Sequence, residues 1–348
     1  MSPLGSPFPR ASVARHRPVL GLAVALAAGA GLSACGGSSS DGGGDAATRP
    51  YTDARGREVM VPKVPKRVVT LSEPTLDAAV ALGAKPIATT AGRGQGTISA
   101  YLQPRTRGLQ TVGVLGQPNV ERIAALKPDA ILIDGTVRID DATVKQLERF
   151  APAVFVSKTG EDWKVAFRHA ADVLGRRARA TELLRTYDAR VTRIRAKLGR
   201  NARARVSVVR WGGTGLPAVV RSEVAAGRVL SDLGLRRPAF QAGRGPGHSV
   251  PVSLERIEAL DGDWLFLGAL GVGGGSGGGV STSAADAKAA ERAVAAARRT
   301  PGFTDLRASR AGRVVPVDGS AWTSAGGWYA EQVILDDVER TMAGGRAR

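Results

Sequence analysis

Cysteine occurs once in the 348 residues, at Cys35, and histidine three times, at His16, His169 and His248. So few soft ligands leave no set from which a dedicated zinc site could be built. Aromatic residues make up only 5% of the chain, which makes the position of each one informative. No block of five or six like charges occurs, although the formal net charge is +18. The bases are interleaved with Asp and Glu, as on a solvated surface, and nucleic acid is not expected as a partner. A modest preference for anionic ligands is what the charge leaves. Beyond a run near the amino terminus, no segment stays apolar for long enough to cross a bilayer. The hydrophobic fraction of 43% and the charged fraction of 23% are those of ordinary globular chains. A chain of 348 residues exceeds what one core usually serves, so two lobes are expected.

Near the amino terminus Arg10, Arg15 and Arg17 are followed by the apolar run VLGLAVALAAGAGL and then by small residues up to Cys35. This is the layout of a secretory signal over residues 1–34, with a core too short to persist as a spanning helix. Leu32, Ser33, Ala34 and Cys35 resemble the lipobox of bacterial lipoproteins, in which the cysteine is acylated. The competing reading is a small-residue cleavage site that precedes a free thiol. Residues 35–49, dominated by Gly and Ser, read as a flexible tether. Losing residues 1–34 with their three arginines would take the net charge from +18 to +15.

From Tyr51 the pattern is a short hairpin about Gly56, a buried strand over Arg67 to Leu71, and a helix from Pro74 to the terminating Gly83. Strand PIATT, strand TVGVL, helix VERIAALKP, strand AILID, helix DATVKQLERF and strand AVFV follow. Alternating short apolar strands and amphipathic helices predict parallel βα units, hence an α/β lobe over 50–160. Residues 161–200 read as connecting helices. Within them 177–198 lacks Gly and Pro and carries Leu183, Leu184, Tyr187, Val191, Ile194 and Leu198 near a 3.6 period. About 22 residues at 1.5 Å each make a rod of roughly 33 Å. It is either a strut between lobes or a surface helix of the second one. The alternation restarts with RVSVVRW, PAVVR, helix VAAGRVLSDLG, helix VSLERIEAL, strand WLFLGAL, helix AADAKAAERAVAAARR, strand RVVPVD and a closing helix from Trp328, which gives a second α/β lobe over 201–348. NVERIAALKPDAILI and SLERIEALDGDWLFL echo one another across the halves, each with Glu-Arg-Ile at its helix start. Such duplication points to a pseudo-symmetric clamp with its ligand site in the cleft, at the carboxyl ends of the strands.

The chain resembles the class III periplasmic binding proteins of iron-siderophore and cobalamin importers. The resemblance rests on TDARGREVMVPKVPKRVVTL with the LGAKPI that follows, on NVERIAALKPDAILI, on the rod, on VSLERIEAL, and on RAGRVVPVDGSAWTSAGGWYAEQVILDDVER. It covers nearly the whole chain after the tether, and the opening TDARGREVMVP is more like the ferric siderophore binders. It implies two Rossmann-like α/β lobes bridged by one long helix, little hinge closure, no catalysis, and no cofactor beyond a ferric siderophore as ligand. Cobalamin or haem binding on the same fold, or a sensory or structural surface lipoprotein, are the other readings. Implied partners are an ABC permease with its ATPase subunits and, through the anchor, the outer face of the cell membrane, with the protein itself a monomer. In that family a glutamate of each lobe docks on arginines of the permease, and the matching residues are Glu121 and Glu255. Their alternative role is to favour their helix N-termini through the dipole.

A bulky, often anionic ferric chelate calls for arginines and aromatic faces at the strand mouths. The candidates are Ser72 and Glu73 after the first strand, Arg93 and Tyr101 after PIATT, Trp211 after RVSVVR, Arg221 after PAVVR, Arg244 in AGRGPGHS, and Trp322 after RVVPVD. Each tryptophan could instead pack between lobes, and each arginine could be solvated surface. An enzyme is not expected. GGSGG at 274–278 fits G-x-S-x-G in form, yet every histidine precedes Ser276, whereas a hydrolase of that type needs one after it. The same stretch lacks the Lys-Ser/Thr of a phosphate loop.

Overall fold

The computed structural model describes residues 47–212, 217–222, 225–243, 249–270, 286–324 and 326–343. Cys35, Arg244, His248 and Ser276 therefore lie outside the described residues. Ala46–Arg348 make one compact unit.

That unit opens with a hairpin of β1 (Thr48–Thr52) and β2 (Glu58–Pro62), turned at Gly56 with φ 80°. β3 (Val68–Thr70) then enters the core and Ser72 ends it by capping α1 (Glu73–Ala81), its side chain accepting from the Thr75 amide. β4 (Ala88–Thr89) and β5 (Gln110–Thr111) follow. The expected strand TVGVL divides instead: after β5 the chain turns at Gly113, φ 114°, into a small hairpin of β6 (Gly113–Val114) and β7 (Gln117–Pro118). α2 (Val120–Ala125), capped by Asn119, leads to β8 (Ala130–Ile133), and α3 (Asp141–Glu148), capped by Asp140, leads to β9 (Ala153–Phe155). The first sheet runs β5-β4-β3-β8-β9 with every pair parallel. Its inner strands β3, β4 and β8 and the edge strand β9 are buried throughout, and β8 and β9 read accordingly as unbroken apolar runs; β5 at the other edge is partly exposed.

α4 (Trp163–Val173) ends at Gly175, whose φ of 66° turns the chain where a Cβ would stand 2.9 Å from the Lys63 carbonyl. α5 (Arg177–Lys197) is the rod, 21 residues and so about 31 Å long. It buries Ala180, Leu183, Leu184, Tyr187, Val191 and Ile194 along one stripe, against α4 and the last helix. α5 starts beside the segment that precedes β3 and ends in a 3-10 turn, Gly199–Arg203, that feeds the next strand. It therefore joins the amino-end sides of the two sheets and leaves their carboxyl ends free.

The second sheet is built from β10 (Val206–Trp211) and β11 (Pro217–Val220), then, beyond α6 (Ala225–Asp232), β12 (Ser249–Pro251) and β13 (Trp264–Ala269). α7 (Ala287–Ala297) and the short α8 (Arg307–Arg310) precede β14 (Val314–Val317), and α9 (Gly319–Trp322) and α10 (Trp328–Val338) close the chain. The order is β12-β11-β10-β13-β14, with β10, β13 and β14 parallel and β11 and β12 antiparallel at one edge. The antiparallel edge departs from a purely parallel reading. VSLERIEAL also departs from the expected α-helix, being a 3-10 segment, Leu254–Leu260, broken at Arg256. The largest hydrophobic cluster crosses between the halves, from Val68, Leu76 and Val154 through the α5 stripe to Val206, Phe266 and Ile334.

Candidate functional site

Two guanidinium groups stand at the carboxyl ends of strands of opposite sheets, close enough for the charge of one to act on the other. Arg93 stands in the loop after β4 and donates to Thr136 Oγ1 at 2.8 Å, in the loop after β8. Arg210, near the end of β10, donates to the Thr323 carbonyl after α9. Each is half-buried, and each keeps a buried Nε without a hydrogen-bond partner. Burial, then the Arg93 charge, pulls the Arg210 guanidinium down to about 10, against the opposing pull of Glu73. A like charge from the other half acts on Arg210, so the two arginines stand near one another.

Glu73 is buried close enough for its charge to act on Arg210. One carboxylate oxygen accepts from Ser99 Oγ at 2.6 Å and the other from Ser324 Oγ at 2.9 Å, so it ties the first half to the second. Glu73 brings one negative charge against two positive ones and so offsets only part of them. Ser72 is fully buried and occupied as the cap of α1. Tyr101 is buried too, hydrogen-bonded to Asp77, with its phenol pKa pushed up by burial first and by the Asp77 charge second. These two expected ligand contacts are therefore interior groups: a helix start and a buried acid take their hydroxyls.

The second half corrects two further expectations. Trp322 is fully buried, stacked on Phe266 with ring centroids 4.4 Å apart, and its indole N–H donates to Asp337 at 2.9 Å. Asp318 starts α9 directly after β14 and this turn swings the indole into the core, so no ring face remains for a ligand. Arg221 follows β11, which runs antiparallel to β10, so it leaves the sheet at the end opposite Trp211. Trp211 itself closes β10, half-buried and edge-on to Phe303 at 5.9 Å, at the mouth where Arg210 lies. Trp163 and Trp328, in α4 and α10, pack edge-on against Tyr187 and Tyr329.

Beside the groove the halves are locked. Asp77 of α1, fully buried, accepts from the Tyr329 and Ala330 amides at 2.9 and 3.1 Å. It thus caps α10, whose own cap position is Gly327 and supplies no side chain. Gly327 has φ 152°, and a Cβ there would sit 2.5 Å from the Asp77 carboxyl. Burial pushes the Asp77 carboxyl up to about 7. Glu331, one turn into α10, is buried with neither carboxylate oxygen hydrogen-bonded, and its pKa is also raised by burial. Arg105 lies over the Tyr329 ring at 4.1 Å.

Glu121 and Glu255 are exposed, without a side-chain partner among the described residues. Each stands in the first turn after its cap, Asn119 or Ser253, with Ile123 or Ile257 buried behind. The Asn119 amide bonds the Val112 carbonyl just past β5, and the Val252 amide bonds the Pro217 carbonyl opposite Trp211. Both glutamates are thereby held at the carboxyl-end side of their sheets. Among the described residues no three His, Cys, Asp or Glu gather as a metal site, and no helix is long and apolar enough to cross a membrane.

Two α/β halves joined by one long helix, α5, recur in known structures. The structure of SirA of Staphylococcus aureus complexed with staphyloferrin B superposes with a TM-score of 0.70 at 24% identity, covering 84% of this chain and 98% of that one. The probable siderophore-binding lipoprotein YfiY of Bacillus subtilis is 30% identical over 316 residues, 88% of this chain and 93% of its own. The achromobactin-binding periplasmic protein of Dickeya dadantii is 28% identical over 298 residues, 81% and 88% of the two chains. The profile of the periplasmic binding protein family matches residues 68–321, from β3 to α9, and by that match the chain belongs to that family.

Proposed function

We propose that this protein captures an anionic ferric siderophore outside the cytoplasmic membrane and delivers it to an ABC importer. The observation that carries the reading is the Arg93–Arg210 pair across one groove, each with an unpartnered buried Nε, above a glutamate already committed to two serines. A chelate with anionic oxygens on opposite sides meets both guanidinium groups at once, without hinge closure. The relatives named for siderophore and achromobactin binding support the ligand class, and the name lipoprotein supports acylation at Cys35. Residues 50–160 and 201–348 act as the two jaws, with 161–200 as their brace. Glu121 and Glu255, one per jaw on the groove side, are the docking acids for bases of the permease. Binding, and no chemical step, is the whole activity, and iron arrives already chelated.

The test is a titration of the chain lacking its first 35 residues, read by quenching of tryptophan fluorescence, against ferric citrate, a ferric tris-catecholate, a ferric trihydroxamate, cyanocobalamin and haemin. Saturable binding of one or more anionic ferric chelates is expected. Binding of cyanocobalamin or haemin alone, or of nothing in the panel, would overturn the reading.

A further inference from the structure

The side of the molecule opposite the groove carries an unbalanced charge that ligand capture leaves unused. Between residues 176 and 205 there are eleven Lys and Arg and two acids, Glu182 and Asp188. Both acids are occupied, Glu182 by Arg179 at 2.8 Å and Asp188 by Lys164 at 3.0 Å. The acids of neighbouring elements are occupied as well: Asp172 holds Arg177 and Arg49, Glu339 holds Lys197 and Arg190, and Asp263 holds Arg205. What remains is positive. Arg176, Arg185, Arg193, Arg195, Arg200 and Arg203 are exposed and have neither an ion pair nor a side-chain hydrogen bond among the described residues.

A second observation concerns where the chain enters this body. β1 is pinned at its second residue, Arg49, which donates to the Asp172 side chain at 2.9 Å, and Asp172 also takes Arg177 at the first turn of α5. The described residues therefore begin beside the amino end of α5, on the side away from Arg93, Arg210, Glu121 and Glu255.

We propose that the exposed arginines of α5 and its following turn form a lipid-facing surface that rests on anionic phospholipid headgroups, holding the groove toward the medium until the protein turns over to dock. The proposal rests on the reading of Cys35 as a membrane anchor, because a tether ending at α5 is what brings this face to the bilayer. Bases next to an anionic leaflet are each attracted, and the attraction adds to that of the acyl group. The docking acids, on the opposite side, would be repelled from the same headgroups. Capture and delivery thus use different orientations of one rigid body.

The test is co-flotation of the chain lacking residues 1–35, which keeps the compact unit Ala46–Arg348 whole, with phosphatidylcholine vesicles with and without phosphatidylglycerol. Because Cys35 is absent, acylation does not enter; whether the full chain is acylated is read separately, by incorporation of labelled palmitate. Binding is expected only with phosphatidylglycerol present, and it should be lost in high salt. Arg185→Gln, Arg193→Gln, Arg200→Gln and Arg203→Gln together should lower partitioning by up to about a thousandfold. Removing the same charge from the first half at Lys85, Arg107, Lys145 and Arg149, all exposed, should leave it nearly unchanged. A dye on a cysteine at Thr192 of α5 should be quenched by headgroup quenchers, and one at Gln117 of β7 should not. Equal loss from both sets of four, equal quenching at both positions, or binding to a soluble polyanion but not to vesicles would overturn the proposal. An unacylated full chain with intact vesicle binding would sink the anchor and keep the surface.

Discussion

Arg210 is the residue on which the ligand reading turns, and it was hidden in plain view. Arg210 is the one charged residue of VSVVRW, a buried strand otherwise of Val, Ser and Trp, and that exception is the signal. Arg210→Gln keeps a donor for the Thr323 carbonyl but removes the charge, and should weaken binding of an anionic chelate by about tenfold to a hundredfold. Arg93→Gln should act likewise, and both losses should shrink in high salt, as isothermal titration would report. Asp77 carries a pH signature. Its carboxyl is raised to about 7 from 3.8, so the folded chain holds a proton that the unfolded chain has released. Stability contributed by this group is present below the unfolded value and is lost as pH rises through about 4 to 7. Asp77→Asn preserves an acceptor for the α10 amides and abolishes the titration. The difference in unfolding free energy between the two proteins should therefore change with pH across that window, by no more than about 4 kcal/mol. A constant difference would remove Asp77 from the account.

At the scale of elements, most of the order of strands and helices was legible, because buried parallel strands and capped amphipathic helices leave strong patterns. The rod was legible from its spacing, and its six buried positions are those of the periodic stripe. Ile194, fully buried there, contributes to the cluster that crosses between halves, so Ile194→Ala should lower stability by about 2 to 5 kcal/mol in chemical denaturation. Direction was not legible: PAVV reads the same whether β11 runs with or against β10, and Arg221 was consequently placed at the wrong end. Nor was the inward swing of Trp322, which depends on α9 beginning within two residues of β14. The cap of α10 left no local trace, since Asp77 lies some 250 residues before the amides it serves, at sequence separations of 252 and 253. Gly327 marks it only in retrospect. Gly327→Ala would push a methyl group into the Asp77 carboxyl and should cost about 2 kcal/mol or more, measured as a fall in the unfolding midpoint.

The whole molecule presents a groove and two exposed carboxylates on one side and a basic rod on the other. If Glu121 and Glu255 register on the importer together, Glu121→Arg with Glu255→Arg should abolish iron uptake in cells while leaving chelate affinity within about twofold, since neither touches the groove arginines. Unimpaired uptake by the double variant would remove both from the docking surface.

The cap lent by Asp77 to a helix in the other half also sets the order in which folding can finish. Until Tyr329 and Ala330 arrive, Asp77 lacks the amides that satisfy it, and Glu73 lacks Ser324. Helix α1 is thus left with two carboxylates short of their partners through the rest of synthesis. A truncated product ending before residue 327 should behave as an open, protease-sensitive intermediate, and the finished chain should melt in one step.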